Sequence, residues 1–144
     1  MRRVSLLLAL LFAVSAQANP LLGAWKSDRA LTLQRLEADR VSPEHRKVIT
    51  EEADLGNAVV EFHADEYVWT LGTLVRRLPY KIRSIEGGYV EIEYFRMRHE
   101  TSPKRLRLFV SGDLLYTPIM EYGYYEVFRR VPAKPKPAPS AAAP

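Results

Sequence analysis

From residue 58 to residue 131 the chain repeats one device: apolar and polar residues alternate with a period of two, and short turns carrying Gly or Asp break the runs. Ala58, Val60 and Phe62 alternate with Val59, Glu61 and His63, and after Ala64-Asp65-Glu66 the residues Tyr67, Trp69 and Leu71 alternate with Val68 and Thr70. Leu78, Tyr80 and Ile82 alternate with Lys81 and Arg83, Glu86-Gly87-Gly88 turns the chain, and Val90, Ile92 and Tyr94 alternate with Glu91 and Glu93. Leu106, Leu108 and Val110 then alternate with Arg105 and Arg107, Ser111-Gly112-Asp113 turns, Leu114 to Ile119 returns, and Gly123 to Val131 forms a last run. This period places one set of side chains on each face of a strand, and the short turns join neighbours as antiparallel hairpins. With Gly23-Ala24-Trp25-Lys26-Ser27 as a first strand, the count is about eight. A sheet with one wet face must cover the other, and few helices are available to do it. The pattern therefore predicts a mainly β protein, an antiparallel up-and-down barrel of about eight strands.

Two helices are expected between the first and second strands. Asp28 is placed to cap one whose apolar residues Leu31, Leu33 and Leu36 fall on one side. Ser42 caps the next, Pro43 takes its first position, Glu44 follows in the acid-favouring first turn, and Gly56 stops it. With one partly apolar face to bury, and two adjacent strands to connect, the pair is expected to lie across one open end of the barrel.

The flanks have a different character. Arg2 and Arg3, the apolar run from Val4 to Val14, and Ala16-Gln17-Ala18 make a positive, apolar and small-x-small series, which reads as a secretory signal peptide over residues 1–18. The apolar run is shorter than the roughly 20 residues of a membrane span, and its Leu-rich character favours the general secretory route over twin-arginine export. The chain contains no cysteine, which excludes a lipoprotein anchor, a thiolate metal site and a Cys nucleophile. Residues 132–144 collapse to Pro, Ala and Lys apart from Ser140, a composition of disordered tails that builds no core. The reading is thus a signal peptide, one barrel domain over 19–131, and a tail, in a periplasmic or secreted protein with no membrane anchor.

A formal charge of +4 raises the question of nucleic acid. Arg2, Arg3, Lys134 and Lys136 lie in the flanks, so of 21 basic residues 17 remain, balanced by 17 acidic ones. The domain is neutral overall, and no nucleic-acid partner is expected. The charge is nevertheless uneven: Asp28 to Glu66 holds ten acids and five bases, Arg76 to Arg107 nine bases and four acids. Such polarity either steers an acidic ligand to one end of the domain or marks the solvated faces of neighbouring elements.

Two local features resemble the calycin superfamily, which contains the lipocalins and fatty-acid-binding proteins. Gly23-Ala24-Trp25 is similar to the Gly-x-Trp signature on the first strand of that group, and Arg129 or Arg130 to the last-strand arginine that packs over the tryptophan. The resemblance implies a barrel sealed at one end by an arginine on the indole face, a contact worth about 0.5–2 kcal/mol. The helical insertion resembles the lid of intracellular fatty-acid-binding proteins. The last strand departs from them: Glu126-Val127-Phe128 stands where they carry Arg-x-Tyr, so a fatty-acid ligand does not carry over, and the strand count is lower.

Catalytic and metal constellations are thin. His45, His63 and His99 have no metal-ligand spacing, no Gly-x-Ser-x-Gly elbow or phosphate-cradling loop occurs, and neither an enzyme, a cofactor nor a metal is expected. The aromatics carry more. Tyr67, Trp69, Tyr80, Tyr94, Tyr116 and Tyr125 either line an interior that takes a small apolar or amphipathic ligand, or fill the barrel as core. Two functions follow: an extracytoplasmic carrier or sensor with its ligand inside the barrel, or a ligand-free module that binds or inhibits a protein partner. For either, the exported protein is expected to start within a residue or two of Asn19. Intact-mass analysis of the periplasmic or secreted fraction checks this, and full-length protein starting at Met1 there would contradict it.

Overall fold

The computed structural model describes residues 18–96, 99–119 and 123–134. Almost all of the expected signal peptide and most of the Pro/Ala-rich tail lie outside the described residues. Eight strands follow in chain order: β1 (Gly23–Ser27), β2 (Val59–Phe62), β3 (Glu66–Leu71), β4 (Leu74–Glu86), β5 (Tyr89–Tyr94), β6 (Lys104–Ser111), β7 (Leu114–Ile119) and β8 (Tyr124–Arg130). Each pairs antiparallel with the next, and β1 pairs with β8, so the sheet closes into a barrel of up-and-down order. The helices α1 (Arg29–Ala38) and α2 (Pro43–Glu52) stand between β1 and β2. Their caps are those the sequence indicates: the side chain of Asp28 accepts from the Leu31 N–H at 3.0 Å, and that of Ser42 from the His45 N–H at 3.3 Å.

Strand β4 is longer than alternation indicates, beginning at Leu74 rather than near Leu78. The stretch Leu74-Val75-Arg76-Arg77 has no period-two contrast, yet Gly72-Thr73 forms a two-residue turn that brings it against β3, with Leu71 opposite Leu74. The ladder between β4 and β5 shifts register between Ile82 and Ser84. Across this pair Lys81 stands opposite Glu93, and Arg83 reaches Glu93 at 3.6 Å.

One end of the barrel is sealed. Trp25 is fully buried, its indole N–H donates to the Leu21 carbonyl at 2.7 Å, and the Arg130 guanidinium lies over its ring at 4.0 Å. Arg130 also donates to the carbonyls of Leu22 at 2.7 Å and Pro20 at 3.1 Å, which folds the segment before β1 under the barrel. Leu21, fully buried, is the plug. Gly23 permits the approach: its φ is +110°, and a Cβ there would come within 3.3 Å of Arg130 Nη1. Of the two arginines considered for this contact, Arg130 makes it, while Arg129 faces outward and pairs with Asp28 at 3.2 Å. Tyr80 completes the seal, accepting from the Asn19 side chain at 2.8 Å and donating to the His63 carbonyl at 2.6 Å.

The helices pack on β8 and against one side of the rim. Helix α1 packs on the outward face of β8 over Val127, and its residues Leu31, Arg35 and Ala38 flank Leu114 and Tyr116 of β7. The cause is the shortness of β1, which pairs with β8 only as far as Phe128. Beyond that point the Val127 backbone needs other partners. The Thr32 hydroxyl accepts from its N–H at 2.9 Å, and the Asp28 N–H donates to its carbonyl at 2.8 Å. Leu36, Val41, Ile49 and Leu55 then form a second small core, against which Ile119 and Tyr124 at the barrel rim are packed.

Replacing Trp25 with Ala removes the largest fully buried side chain and the surface on which Arg130 rests, and is expected to cost about 3–5 kcal/mol. Denaturant unfolding measures it, and an unchanged midpoint would contradict the seal.

Candidate functional site

Alternation sends Val60, Phe62, Tyr67, Trp69, Ile92, Tyr94, Leu106, Leu108 and Phe128 inward, and at the sealed end such residues meet in the main core. Toward the other end they stand apart. There a cavity of about 470 Å³ is lined by Phe62, Tyr67, Trp69, Leu108 and Phe128, among others, with Arg76, Arg96 and Ile119 at strand ends on the rim. No helix residue lines it. Its volume falls within the range of small-molecule sites, and its lining has their character: mostly apolar walls with a few polar groups.

The polar groups divide by wall. Tyr67 on β3, Arg76 on β4, and Tyr94 and Arg96 at the end of β5 share one side. Arg76 lies 5.9 Å from the Trp69 ring centroid. Tyr67 and Tyr94 stack edge-to-face at 6.1 Å between centroids. Burial pushes the Tyr67 phenol well above the usual tyrosine range; the neighbouring Tyr94 adds to this, while the positive fields of Arg76 and Arg96 oppose it. Tyr67 therefore stays a neutral hydrogen-bond donor at all ordinary pH values.

Across the barrel, on β8, stands Glu126. Its carboxylate accepts from the Ser27 hydroxyl, and Ser27 Oγ in turn accepts from the Gly56 N–H at 2.8 Å. Burial raises the Glu126 pKa, and the Ser27 hydrogen bond only partly offsets this. In the sequence Glu126 stands out only as a departure from Arg-x-Tyr. Its signal was an acidic residue at an inward position of a strand, between Tyr124 and Phe128.

The six aromatics expected to line an interior separate into three groups. Tyr67, Trp69 and Tyr94 line the cavity. Tyr80 points inward but belongs to the seal. Tyr116 and Tyr125 take the outward parity of β7 and β8, opposite to that of Thr117, Glu126 and Phe128, and do not line the cavity. Tyr116 instead continues an outer aromatic stripe, with Phe109 at 5.6 Å from it and Tyr89 at 4.8 Å from Phe109. Arg107 stacks on Tyr89 at 4.2 Å. Gly88 leaves room for this stripe, since a Cβ there would sit 2.8 Å from Phe109 Cε2.

A groove of about 720 Å³ between α1 and α2 is larger than the cavity, but Arg29, Glu37, Arg46, Lys47 and Glu51 are among its walls, the usual surface of two solvated helices. Among the described residues no group of three or more His, Cys, Asp or Glu side chains is arranged to hold a metal ion, and no helix is long and apolar enough to cross a membrane. Comparison with known proteins finds no matching family model and no matching curated protein.

The raised pKa of Glu126 fixes a sign for pH dependence. The folded protein holds this proton more tightly than the unfolded chain. Its contribution to stability is therefore full below the ordinary Glu pKa, about 4.3, and is lost as pH rises through the elevated folded value. Glu126→Gln, which stays neutral, is expected to gain thermal stability relative to the native protein as pH rises from about 4 to 7. A difference in melting temperature that does not change with pH would contradict this.

Proposed function

We propose that this protein is an exported, non-enzymatic carrier or sensor of calycin type, which binds a small apolar or amphipathic molecule in the barrel. The observation that carries this reading is the cavity of about 470 Å³ beyond the sealed end. An eight-stranded barrel is just wide enough either to be filled by its own side chains or to hold one small ligand. Here the inward side chains fill one half and leave the other lined but unfilled. The calycin assignment is supported by Gly23, Trp25 and Arg130 meeting at the junction of first and last strands. Export is supported by the composition of residues 1–18.

A ligand-free interaction or inhibitor module is the second reading. The outer stripe of Tyr89, Phe109 and Tyr116 favours it, because Tyr89 is 39% exposed and its ring carries a stacked guanidinium, a combination suited to a protein partner.

The two tryptophans separate the readings. Trp25 is sealed and Trp69 lines the cavity. Apolar fluorophores or amphiphiles are expected to bind with micromolar affinity, about −8 kcal/mol, and to change tryptophan emission. The change is expected to persist in Trp25→Phe and to vanish in Trp69→Phe. Native mass spectrometry of protein from its own host is expected to retain a small molecule. Absence of both signals across a panel of lipids and hydrophobes would retire the carrier in favour of the module.

A further inference from the structure

The basic surplus between Arg76 and Arg107 has a definite place in the fold. Arg76 takes an inward position near the start of β4, and Arg96 follows the end of β5, so both belong to one side of the cavity mouth. Among the described residues neither guanidinium has an ion-pair partner, although most arginines of the surrounding surface do: Arg77 with Glu66, Arg83 with Glu93, Arg105 with Glu91. Glu100 holds the backbone N–H of Arg96 at 2.6 Å, fixing the residue while its side chain lines the cavity.

Two phenols stand on the same wall. The hydroxyls of Tyr67 and Tyr94 have no hydrogen-bond partner among the described residues, in contrast to Tyr80, whose hydroxyl is satisfied twice. Neither is a buried orphan, since no buried side-chain polar atom lacks a partner among the described residues; both therefore face space that a ligand or solvent can reach. Two guanidiniums and two phenols, with no carboxylate among the described residues, thus line this wall. Among the described residues the one carboxylate lining the cavity, Glu126, lies three strands away around the barrel in either direction and is already engaged by Ser27. The other walls are mostly apolar, through Phe62, Ile92, Leu108 and Phe128.

We infer that the ligand is an anionic amphiphile, its head group held on this wall by Arg76, Arg96, Tyr67 and Tyr94 and its apolar part directed toward Leu108 and Phe128. This inference rests on the carrier reading and adds the sign and position of the head group. Guanidinium and phenol groups together suit a carboxylate or sulfate, because such hydrogen bonds are charge-assisted and a guanidinium can donate two in parallel. The direction of insertion follows from the seal: an apolar tail can go deeper, whereas a charge at the floor would meet only Trp25, Leu21 and their neighbours.

Calorimetric titration with four probes that share a ten-carbon chain tests this: decanoate, decyl sulfate, decanol and decyltrimethylammonium. The anionic probes are expected to bind about tenfold or more tighter than decanol, the worth of one charge-assisted hydrogen bond, with a preference that shrinks as salt is added. Arg76→Gln with Arg96→Gln is expected to abolish the preference while decanol affinity holds, and Tyr67→Phe to reduce it. Arg76→Lys with Arg96→Lys, which keeps the charge, is expected to retain part of it. Decanol binding serves as the check that each variant is folded with its cavity intact. Equal affinity for decanoate and decanol, or tightest binding of the ammonium probe, would overturn the anion site while leaving the carrier standing. Binding of none of the four would remove both.

Discussion

The guanidinium of Arg130 lying on the indole of Trp25 is the contact on which the rest of the barrel depends. It joins the first and last strands, which no turn connects, and it acts at the one seam where closure is a tertiary event. Each of its partners adds a constraint. The Trp25 N–H and two Arg130 donors use up the carbonyls of Pro20, Leu21 and Leu22, so a segment too short to be a strand becomes the floor. The glycine at position 23 is required twice over, by its φ and by the nearness of Arg130. A floor made this way places Trp25, Leu21, Phe62 and Tyr80 together, and the aromatic contacts of Phe62 with Tyr67 and Tyr80 extend the packing upward by one layer.

What that floor leaves unfilled follows from where the other large side chains go. Alternation and the short β1 send Val127 outward beneath α1, and the helices find their apolar partners there and at the rim, through Ile119 and Tyr124. Tyr116 is spent on the outer stripe. The upper half of the barrel thereby keeps a few aromatics, two arginines and a glutamate around open space. A carboxyl group in that position is unfavourable when ionised, and Ser27 with the Gly56 N–H behind it gives only partial compensation. Polar groups held in a largely apolar enclosure at some cost to stability are a frequent mark of binding sites.

Much of this was legible in the sequence. Alternation with Gly and Asp turns specifies the strands and their antiparallel order, and Asp28, Ser42 and Pro43 mark the helix starts. Trp25 and a C-terminal arginine point to the seam, though alternation between Arg129 and Arg130 could be decided only by register. What was not legible depends on three-dimensional neighbours. The placement of α1 follows from two unpaired groups on Val127, and the early start of β4 from a turn at Gly72-Thr73 whose following residues carry no contrast. The separation of Tyr67, Trp69 and Tyr94 from Tyr116 and Tyr125 is a matter of parity that the aromatic count alone conceals. Arg76, Arg96 and Glu126 are ordinary charges in the sequence, and they become a site only when the barrel closes.

The central claim is that the barrel is closed at one end and receives a molecule at the other. Nuclear magnetic resonance mapping, with side-chain methyl and aromatic signals followed during addition of a bound amphiphile, tests it most directly. The account predicts shifts at Trp69, Ile92, Leu106, Leu108 and Phe128, with Leu21, Trp25 and the outer stripe of Tyr89 and Phe109 unmoved. Shifts confined to that stripe or to the groove between α1 and α2, with the interior signals unchanged, would contradict it.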